Sequence, residues 1–448
     1  MMRRRDFVAG LGVLAPERKP NIVLVLLDDL GYGDFGCYGQ KIIQTPVVDR
    51  LAREGTRFTD CYAGGAVCAP SRAALMTGLH GGHAPVRANA GTIPIEPGDV
   101  TIAETLKQTG YVTGGFGKWG LGDAGTEGRP TEQGFDEWFG YLHQVHAHSY
   151  YTDYLWDGDR KVMLEGNRGG QRAVYSADLI KDRTLSFIRR NKARPFFCYA
   201  AWTLPHANFE VPDLGAYAAR AEWHENERAY AAMVSRADAH IGELSALLKS
   251  EGLERDTLLI VTSDNGAPGG SNKGFERFRS NGPLRGTKGT LYEGGIRVPM
   301  IARWPGGVPA GRVCSAPCAF WDFGPTFAEL AGTKMSGVDG ISLIPEILGT
   351  GPLTRRQALY WEFHQFNLKT MKWQGEMKQA ARMGNWKAVR QRPGGPLELY
   401  DLSTDIGESR DVSSANPQVV ERMERILRES HTPPRPHDKG RATPVADL

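Results

Sequence analysis

The chain has 448 residues, of which 41% are hydrophobic and 23% charged, values that are ordinary for a globular protein with a large core. A formal net charge of +3 over this length excludes nucleic-acid binding driven by bulk charge. No apolar run approaches the roughly 20 residues that span a membrane, so the sequence predicts no membrane partner.

The N-terminus reads MMRRRDFVAGLGVLAPERKPN. The segment RRDFV, at positions 4–8, resembles a twin-arginine export signal, and a short apolar run follows it. We therefore expect residues 1–19 to be an export signal or a disordered basic tail. An export signal would place the protein in the periplasm or outside the cell. Because twin-arginine export carries folded proteins, a cytoplasmic modification can be completed before export.

Between residues 20 and 349, apolar runs alternate with helical patterns. The apolar runs predict buried strands at Ile22–Leu27, Tyr111–Phe116, Phe196–Trp202, Leu258–Thr262 and Val298–Ala302. The helical patterns are Pro46–Glu54, Ser71–Thr77, Ile102–Thr109, Ser176–Asn191, Glu225–Ser250 and Phe323–Leu330. This alternation predicts an α/β domain with a large doubly wound sheet, mixed or mostly parallel, flanked by helices.

From residue 350 the pattern changes to strands separated by turns. We predict three strands at Ala358–Phe363, Gln379–Arg390 and Leu397–Leu402, and then a helix from Pro417 to Glu429 with Asn416 as its cap. This pattern predicts a smaller C-terminal α+β domain with an antiparallel sheet over residues 350–435. Residues 436–448 are predicted to be a flexible tail.

Six cysteines lie at irregular spacings, which is not the pattern of a disulfide scaffold. Cys314 and Cys318 could pair or bind a metal. No second Cys or His pair lies near them in sequence, so a structural role is favoured. Cys198 lies inside the apolar run FFCYAAW and is predicted to be a small buried hydrophobic residue.

Four of the predicted strands run into polar residues. Asp28-Asp29, Lys118, His206 and Asp264-Asn265 each follow one of them. In an open α/β sheet, ligands bind beyond the carboxyl ends of the strands, so these side chains are expected to meet. The Asp and Asn oxygens suit Ca²⁺ or Mg²⁺. A lone Asp-Asp pair is more often a turn or a helix cap, but two such pairs on two strand ends favour a cation site.

The stretch AVCAPSRAALMTG, at positions 66–78, places Cys68 at the start of a predicted helix. Pro70 suits the first turn, and the Ala-rich run after it propagates the helix. Free N–H groups at a helix start favour anions, and Arg72 adds a permanent positive charge one turn later. The alternative interpretation is a buried cysteine beside a helix start.

Cys68-Ala69-Pro70-Ser71-Arg72, with the Thr-Gly that follows the helix, resembles the signature of the sulfatase family. Further motifs fall in the order of that family: Asp28-Asp29, Gly117-Lys118-Trp119, His206, Asp264-Asn265-Gly266 and Lys288. The resemblance extends over residues 20–430. It points to formylglycine-dependent enzymes of the Cys type, such as bacterial arylsulfatases and carbohydrate sulfatases, with a fold like that of alkaline phosphatase.

The resemblance implies that a maturation enzyme converts Cys68 to formylglycine. The hydrated aldehyde would attack sulfur with one hydroxyl and expel sulfate with the other, which splits one difficult displacement into two easier steps. The resemblance also implies a Ca²⁺ ion, with Mg²⁺ as the alternative. Its ligands would be Asp28, Asp29, Asp264, Asn265 and the modified Cys68.

Roles for the remaining site residues follow from the same resemblance. Arg72 would orient and stabilise the formylglycine oxyanion, and Lys118 and Lys288 would bind sulfate oxygens. His206 would protonate the leaving alcohol. For any one of these residues alone, a surface charge or a buried structural histidine would be the simpler interpretation.

The sequence departs from the family pattern at Gly120, where the family commonly has a histidine that contacts the formylglycine hydroxyl. The segment HQVHAH, at positions 143–148, lies shortly downstream. We hypothesise that His146 or His148 replaces the absent side chain, and His148 is preferred. Alternatively, this histidine cluster binds substrate or lies at the surface.

Aromatic and polar segments predict the substrate side of the site. Sugar-stacking walls could be formed by Tyr150, Tyr151, Tyr154, Trp156 and Trp373, which could equally be core or rim residues. His146 and His364 are candidate substrate contacts. An exported protein with a polar rim and no hydrophobic hairpin favours a sulfated carbohydrate over a steroid.

Two other functions remain open at this point. A phosphonate or phosphate ester hydrolase of the same superfamily can use the same motif, and relative turnover of matched aryl sulfate and aryl phosphonate esters separates the two enzymes. The second alternative is a non-catalytic protein that binds sulfated glycans, which the glycine at position 120 favours.

Overall fold

The computed structural model describes residues 19–89, 94–269, 275–353, 358–367, 370 and 372–435. The predicted export signal, up to residue 18, and the predicted tail at 436–448 lie outside the described residues. Within the described ranges, no helix combines the length and the apolar character needed to cross a membrane.

Fifteen strands are present in the described part of the chain. In chain order they are β1 Asn21–Leu27, β2 Thr56–Tyr62, β3 Val112–Lys118, β4 Glu137–Tyr141, β5 Tyr154–Asp157, β6 Arg160–Met163, β7 Phe196–Ala201, β8 Thr257–Ser263, β9 Arg297–Arg303, β10 Arg312–Cys314, β11 Cys318–Ala319, β12 Leu359–Asn367, β13 Lys372–Met383, β14 Trp386–Arg390 and β15 Leu397–Asp401.

The same residues form nine α-helices. These are α1 Pro46–Glu54, α2 Cys68–Thr77, α3 Ile102–Lys107, α4 Ser176–Asn191, α5 Glu225–Ser250, α6 Glu293–Ile296, α7 Phe323–Leu330, α8 Ile344–Leu348 and α9 Pro417–Glu429. In α1 the buried residues Val48, Leu51 and Ala52 recur at the helical spacing that predicts one apolar face.

The large sheet has the strand order β10-β2-β9-β8-β1-β7-β3-β4-β5-β6, and β11 pairs with β2. Its centre, from β8 to β4, is parallel, whereas β9 is antiparallel to both β8 and β2. Successive side chains of β1 point to opposite faces, where they join two separate apolar cores. One core contains residues of α1, α4 and α5, and the other contains residues of α2, α3 and α7. This confirms the predicted α/β fold class.

The small sheet is antiparallel, with the order β12-β13-β14-β15, and α9 packs against it. The prediction of a single strand at Gln379–Arg390 is wrong. Met383 pairs with Trp386, and Gly384 between them has φ +60°, so the chain turns back there as a hairpin. Asn416 stands at the start of α9 as predicted, but its side chain donates to the Val412 carbonyl instead of capping the helix.

All six cysteines are free. Cys198 is fully buried in β7, as predicted. Cys314 Sγ lies 3.2 Å from a Glu346 carboxylate oxygen, and the Cys318 thiol interacts with Cys61. Cys314 and Cys318 therefore each contact a neighbouring side chain in the fold, which agrees with the structural role favoured from the sequence.

A buried network of charges joins the small sheet to the large one. Lys387 of β14 is fully buried, with its Nζ 2.8 Å from Glu293 and 3.4 Å from Glu408. Tyr62 donates to the second oxygen of Glu293 at 2.6 Å, and the Glu293 N–H donates to Glu408 at 2.7 Å. Burial raises the pKa of Glu408 to about 7, although the Lys387 charge acts in the opposite direction. Lys387 therefore neutralises carboxylates that have no access to solvent.

We expect Lys387→Met to destabilise the protein by about 3–5 kcal/mol, because it leaves Glu408 buried without its cation and leaves Glu293 with Arg297 as its one ion-pair partner in the described part of the chain. The measurement is the urea midpoint and slope of unfolding. Lys372→Met is the control, since Lys372 is an exposed residue of β13 and its loss should cost less than about 0.5 kcal/mol. Equal midpoints for the two variants would contradict the prediction.

Candidate active site

The polar residues predicted at four strand ends meet at one edge of the large sheet. Asp28-Asp29 follow β1, Asp264-Asn265 follow β8, Lys118 ends β3 and His206 lies shortly after β7. These strands are neighbours in the order β8-β1-β7-β3, and all four are parallel, so their carboxyl ends coincide. The topology therefore collects side chains that are up to 237 positions apart, counting from Asp28 to Asn265.

Backbone hydrogen bonds hold the two acidic strand ends together. The Asp264 N–H donates to the Leu27 carbonyl at 2.9 Å, and the Asp29 N–H donates to Asp264 Oδ1 at 3.1 Å. Asp29 has φ +63°, a left-handed conformation that Asp adopts more easily than most residues. The Asn265 amide donates to Asp29 Oδ1 at 2.8 Å. Three carboxylates and an amide are thus fixed around one point.

Cys68 is the first residue of α2 and is fully buried. Its Sγ lies 3.4 Å from Asp28 Oδ1 and 3.4 Å from Lys288 Nζ. The N–H of Ala69 donates to the Asn89 side chain at 2.8 Å, which fixes the start of the helix. Burial and the neighbouring Asp264 and Asp28 carboxylates raise the pKa of the Cys68 thiol to about 12. A thiol with this pKa supplies very little thiolate near neutral pH and is a poor nucleophile.

Arg72 lies one turn into α2 and connects three site residues. Its Nε and Nη2 donate to Asp264 Oδ2 at 3.1 and 2.8 Å, and its Nη1 donates to the Lys118 carbonyl. Nη2 also lies 3.4 Å from Asp28 Oδ2. Because the guanidinium is fully buried, its charge is not screened by solvent.

Two lysines approach the carboxylates from opposite parts of the chain. Lys118 Nζ lies 2.8 Å from Asp28 Oδ2, and Lys288 Nζ lies 2.7 Å from an Asp29 oxygen. Gly117, just before Lys118, has φ +122°, and a Cβ there would lie 1.9 Å from the Ala201 carbonyl oxygen. Only glycine allows this approach of β3 to β7, so it is required for the placement of Lys118.

His206 completes the cluster. Its Nδ1 is hydrogen-bonded to the Ala207 carbonyl, and its Nε2 lies 3.5 Å from Asp29 and 3.4 Å from Lys288 Nζ. Burial lowers the pKa of His206 to about 4, although the Asp28 charge acts in the opposite direction. Since Nδ1 must carry a proton to bond a carbonyl, Nε2 is the nitrogen that can exchange one.

The cluster fits a hard divalent cation. Three carboxylates, Asp28, Asp29 and Asp264, face the permanent cations Arg72, Lys118 and Lys288. Asn265 Oδ1 is buried and has no hydrogen-bond partner among the described residues, although its amide nitrogen is satisfied. Asp28, Asp29, Cys68 and His206 offer ligand atoms that all lie within 4.8 Å of one another. Flexible sets of carboxylate and amide oxygens of this kind are typical of calcium sites.

A second group of potential ligands lies after α2 and consists of His80, His83 and Asp339. His80 Nδ1 accepts the Gly82 N–H at 3.2 Å, so a neutral ring carries its proton on Nε2, the nitrogen 3.7 Å from Asp339. His83 Nδ1 lies 2.9 Å from the same carboxylate. Asp339 also accepts the backbone N–H of His80 at 2.9 Å, so hydrogen bonds hold this group together.

A cavity of about 520 Å³ lies beside the cluster. It is lined by Val145, His146, His148, Ser149, Tyr151, Thr152, Asp153, Tyr154 and Asn208. The His148 ring lies 4.5 Å from the His206 ring, which links the cavity to the strand-end residues. His146 is mostly buried, with its Nε2 2.7 Å from the Thr152 hydroxyl.

The structure changes the expectation for the aromatic residues. Tyr150 is fully buried, and its hydroxyl donates to the carbonyls of Thr203 and His206 at 2.6 and 3.0 Å. It supports the His206 backbone and cannot stack on a sugar, so that prediction is wrong for Tyr150. The Tyr154 ring packs against His146 at 4.4 Å, and Lys161 Nζ lies over it at 4.2 Å.

The other residues predicted to contact the substrate pack against neighbouring side chains or lie in a strand. Tyr151 lies under the Arg172 guanidinium, at 4.1 Å from its ring centre. Trp156 is half-buried in β5. His364, in β12, stacks on Trp373 of β13 with ring centres 4.4 Å apart, and its Nε2 contacts the Gly375 carbonyl.

Sequence reasoning missed two residues at the edge of the cluster. Asn89 bonds the first turn of α2, and nothing in its sequence context distinguishes it. Gln144 occupies the space next to Gly120, where an added Cβ would lie 1.8 Å from its Nε2. The sequence did carry one signal for Gln144, which is the glycine at position 120. The family pattern has a large side chain there, so another side chain must fill the space that the glycine leaves. His148, the predicted replacement for the absent histidine, lies against the His206 ring, and its replacement role stays a prediction.

Sequence profiles of known protein families match two overlapping parts of the chain. A sequence profile described as Sulfatase matches residues 20–333, which is more than half of the chain. A second profile, described as the C-terminal region of N-sulphoglucosamine sulphohydrolase, matches residues 287–432.

Individual proteins agree with the profiles. N-acetylgalactosamine-6-sulfatase of Canis lupus familiaris is 34% identical over 415 residues, which cover 85% of this chain and 73% of that protein. Arylsulfatase A of Homo sapiens is 33% identical over 477 residues, which cover 93% of this chain and 88% of that protein. The crystal structure of Ps i-CgsB in complex with k-i-k-neocarrahexaose has a TM-score of 0.79 and 31% identity and covers 92% of each chain.

Proposed function

This chain belongs to the sulfatase family and is a sulfuric ester hydrolase, and from that premise we propose that it desulfates a carbohydrate, with formylglycine at position 68 and Ca²⁺ beside it. The observation that carries the proposal is the convergence on Cys68. Its sulfur lies within 3.4 Å of both Asp28 and Lys288, inside a buried set of three carboxylates and three cations.

The match of Cys68-Ala69-Pro70-Ser71-Arg72 to the sulfatase signature supports a modified residue at position 68 over a working thiol. Formylglycine, once formed by a maturation enzyme and hydrated, supplies one hydroxyl for attack on sulfur and a second for release of sulfate. Bound Ca²⁺ supplies a Lewis acid for a sulfate oxygen and for the attacking hydroxyl. Asp28, Asp29, Asp264 and Asn265 would hold this ion together with residue 68.

The other side chains bind and move protons around this centre. Lys118 and Lys288 bind sulfate oxygens and offset the charge that grows as the ester bond breaks. Arg72, fixed by Asp264 and by the Lys118 carbonyl, holds residue 68 in place. His206 would give a proton from Nε2 to the leaving alcohol in its protonated form, which an anionic sulfate group bound beside it would favour. His148, in ring contact with His206, assists that transfer.

A carbohydrate substrate is supported by the polar cavity and by the relatives. The cavity beside His206 is lined by hydroxyl, amide, imidazole and carboxylate groups, which suit the hydroxyls of a sugar ring. A related structure at 31% identity holds neocarrahexaose. His146 lines the cavity, and His364 on the small sheet is a more remote candidate contact.

The test of the proposed function is sulfate release from monosulfated sugars and oligosaccharides, measured beside matched 4-nitrophenyl sulfate and phosphonate esters. We expect sulfate release with a higher kcat/KM for at least one sulfated sugar than for the aryl sulfate. Faster turnover of the phosphonate would favour a phosphonate hydrolase. Binding of sulfated sugars without any release would favour a glycan-binding protein.

We expect Lys118→Ala to lower kcat/KM for an aryl sulfate by roughly 10²–10³-fold, the cost of one donor to a developing anion. His148→Ala should lower it less for an aryl sulfate than for a sugar sulfate, because a phenolate leaves without a proton donor. The exposed Lys41→Ala is the matched control. Unchanged turnover of both substrates in His148→Ala would remove His148 from the mechanism.

A further inference from the structure

We propose that the side-chain amide of Gln144 is a binding group of the active site and donates a hydrogen bond to an oxygen of the bound sulfate group. The inference rests on the proposed function and deepens it. Gln144 is 4% exposed, and neither Nε2 nor Oε1 has a hydrogen-bond partner among the described residues. A buried amide without partners is costly, so its retention points to a polar ligand.

The backbone places this amide next to the carboxyl end of β3, the strand that ends at Lys118. The pairing of β3 with β4 continues past Lys118, because the N–H groups of Trp119 and Gly120 donate to the Tyr141 and Leu142 carbonyls, both at 2.9 Å. Gly120, two residues after Lys118, has φ +80°, so the regular alternation of side chains ends there, and Trp119 between the two points into the core. Trp119 indeed packs into the core against Trp138, with ring centres 5.5 Å apart.

The carboxyl end of β3, two residues before Gly120, is where Lys118 enters the catalytic cluster. Lys118 extends from it to Asp28, with Nζ at 2.8 Å from the carboxylate. A Cβ built on Gly120 would lie 1.8 Å from Gln144 Nε2 and 2.7 Å from its Cδ. The amide therefore fills the volume that a side chain at position 120 would occupy, two residues along the chain from Lys118.

The chemistry of an amide suits this place. The site already holds three permanent cations, and Arg72, Lys118 and Lys288 each contact a carboxylate. A neutral N–H donor can bind a sulfate oxygen without adding a fourth charge that would compete for those carboxylates. The second amide atom, Oε1, remains free to accept a hydroxyl of the substrate.

The geometry also separates Gln144 from His148. The His148 ring is in contact with His206, the group assigned to the leaving alcohol, whereas Gln144 is packed against Gly120 beside Lys118. We therefore assign Gln144 to the sulfate group and His148 to the leaving alcohol. Loss of Gln144 should affect binding of the sulfate group with any leaving group, whereas loss of His148 should depend on the leaving group.

The experiment compares Gln144→Glu and Gln144→Leu with the wild-type protein, using 4-nitrophenyl sulfate as substrate and inorganic sulfate as competitive inhibitor. We expect kcat/KM to fall by about 10²-fold, as for the loss of one oxyanion donor, and the inhibition constant of sulfate to rise in both variants. The Glu variant should be the weaker binder because its carboxylate repels sulfate.

Gln133→Leu is the control, since Gln133 is an equally buried glutamine whose amide donates to the Glu127 carbonyl. It should change the melting temperature but not the inhibition constant of sulfate. Gly120→Ala offers a second route, because the added methyl must displace the amide; it should weaken sulfate binding with Gln144 still present.

The outcomes distinguish this inference from the proposed function. A wild-type protein that releases no sulfate would overturn the proposed function. A wild-type protein that is active, with unchanged sulfate inhibition in both Gln144 variants, would overturn the role of Gln144 alone. Weaker inhibition in Gln144→Leu with a wild-type melting temperature would support it.

Discussion

Cys68→Ser is expected to release one equivalent of 4-nitrophenol per protein molecule and then to stop. The serine hydroxyl can occupy the place of Sγ, beside Asp28 and Lys288, and can attack sulfur. It has no second hydroxyl to expel sulfate, so the serine sulfate ester persists. Because this ester does not turn over, we expect the steady-state kcat to fall by on the order of 10⁶-fold, the scale seen when a catalytic nucleophile is removed.

Rapid mixing measures the burst of 4-nitrophenol. Mass analysis of the intact protein should then show one added sulfuryl group, and mass analysis of its peptides should place that group on the peptide that carries residue 68. Cys198→Ser is the control, because Cys198 is equally buried but lies in the core of β7. It should lower stability without producing a burst. Continued turnover by Cys68→Ser would contradict the mechanism.

The wild-type peptide completes this test. After expression with a maturation enzyme, mass spectrometry should detect an aldehyde in place of the thiol at residue 68. An unmodified thiol in a fully active preparation would remove formylglycine from the proposal. It would leave the membership of the chain in the sulfatase family unaffected.

Arg72→Met should abolish sulfatase turnover and destabilise the fold by about 3–5 kcal/mol, because it removes one partner of a buried ion pair. The guanidinium makes two bonds to Asp264, one to the Lys118 carbonyl and a contact with Asp28, all without solvent. Methionine fills similar space but satisfies none of these groups. Asp264 would then be left buried beside Asp28 with like charge.

Urea unfolding and steady-state kinetics on the same preparation measure both effects. Arg72→Lys should fall between the wild type and Arg72→Met, because it keeps the charge but cannot bond Asp264 and a carbonyl at once. Arg168→Met is the control, since Arg168 is exposed and pairs only at the surface with Glu165. It should change stability by less than about 1 kcal/mol. An unfolding midpoint of Arg72→Met equal to that of Arg168→Met would refute the prediction.

Much of the fold follows from local patterns in the sequence. The helices Pro46–Glu54, Ser176–Asn191, Glu225–Ser250, Phe323–Leu330 and Pro417–Glu429 begin and end where they were predicted. Their apolar spacing and their first-turn residues are local signals that survive in the folded chain. The resemblance to sulfatases, drawn from short motifs, is confirmed by the profile that matches residues 20–333.

Strands with weaker patterns were missed. β2, with the sequence TRFTDCY, and β4, with the sequence EWFGY, carry charged residues or glycine and form only because neighbouring strands pair with them. The sequence pattern predicts one strand where the structure has the hairpin of β13 and β14, because the turn between these strands needs only two residues. Whether such a segment forms a strand depends on the strands that pair with it, and a local sequence pattern does not contain that information.

The sequence by itself predicted which residues form the candidate site, because strand ends are local features and parallel strands bring them to one edge of the sheet. It identified the carboxylates, the lysines, His206 and the cysteine at the helix start. Only the tertiary structure decided which side chain fills the space beside Gly120, since that depends on the path of the chain after β4. It also showed that Tyr150, which the sequence predicts to stack on a sugar, instead donates a hydrogen bond to the His206 carbonyl. Side-chain volume and buried hydrogen bonds are set by packing in three dimensions, whereas the order of motifs is set along the chain.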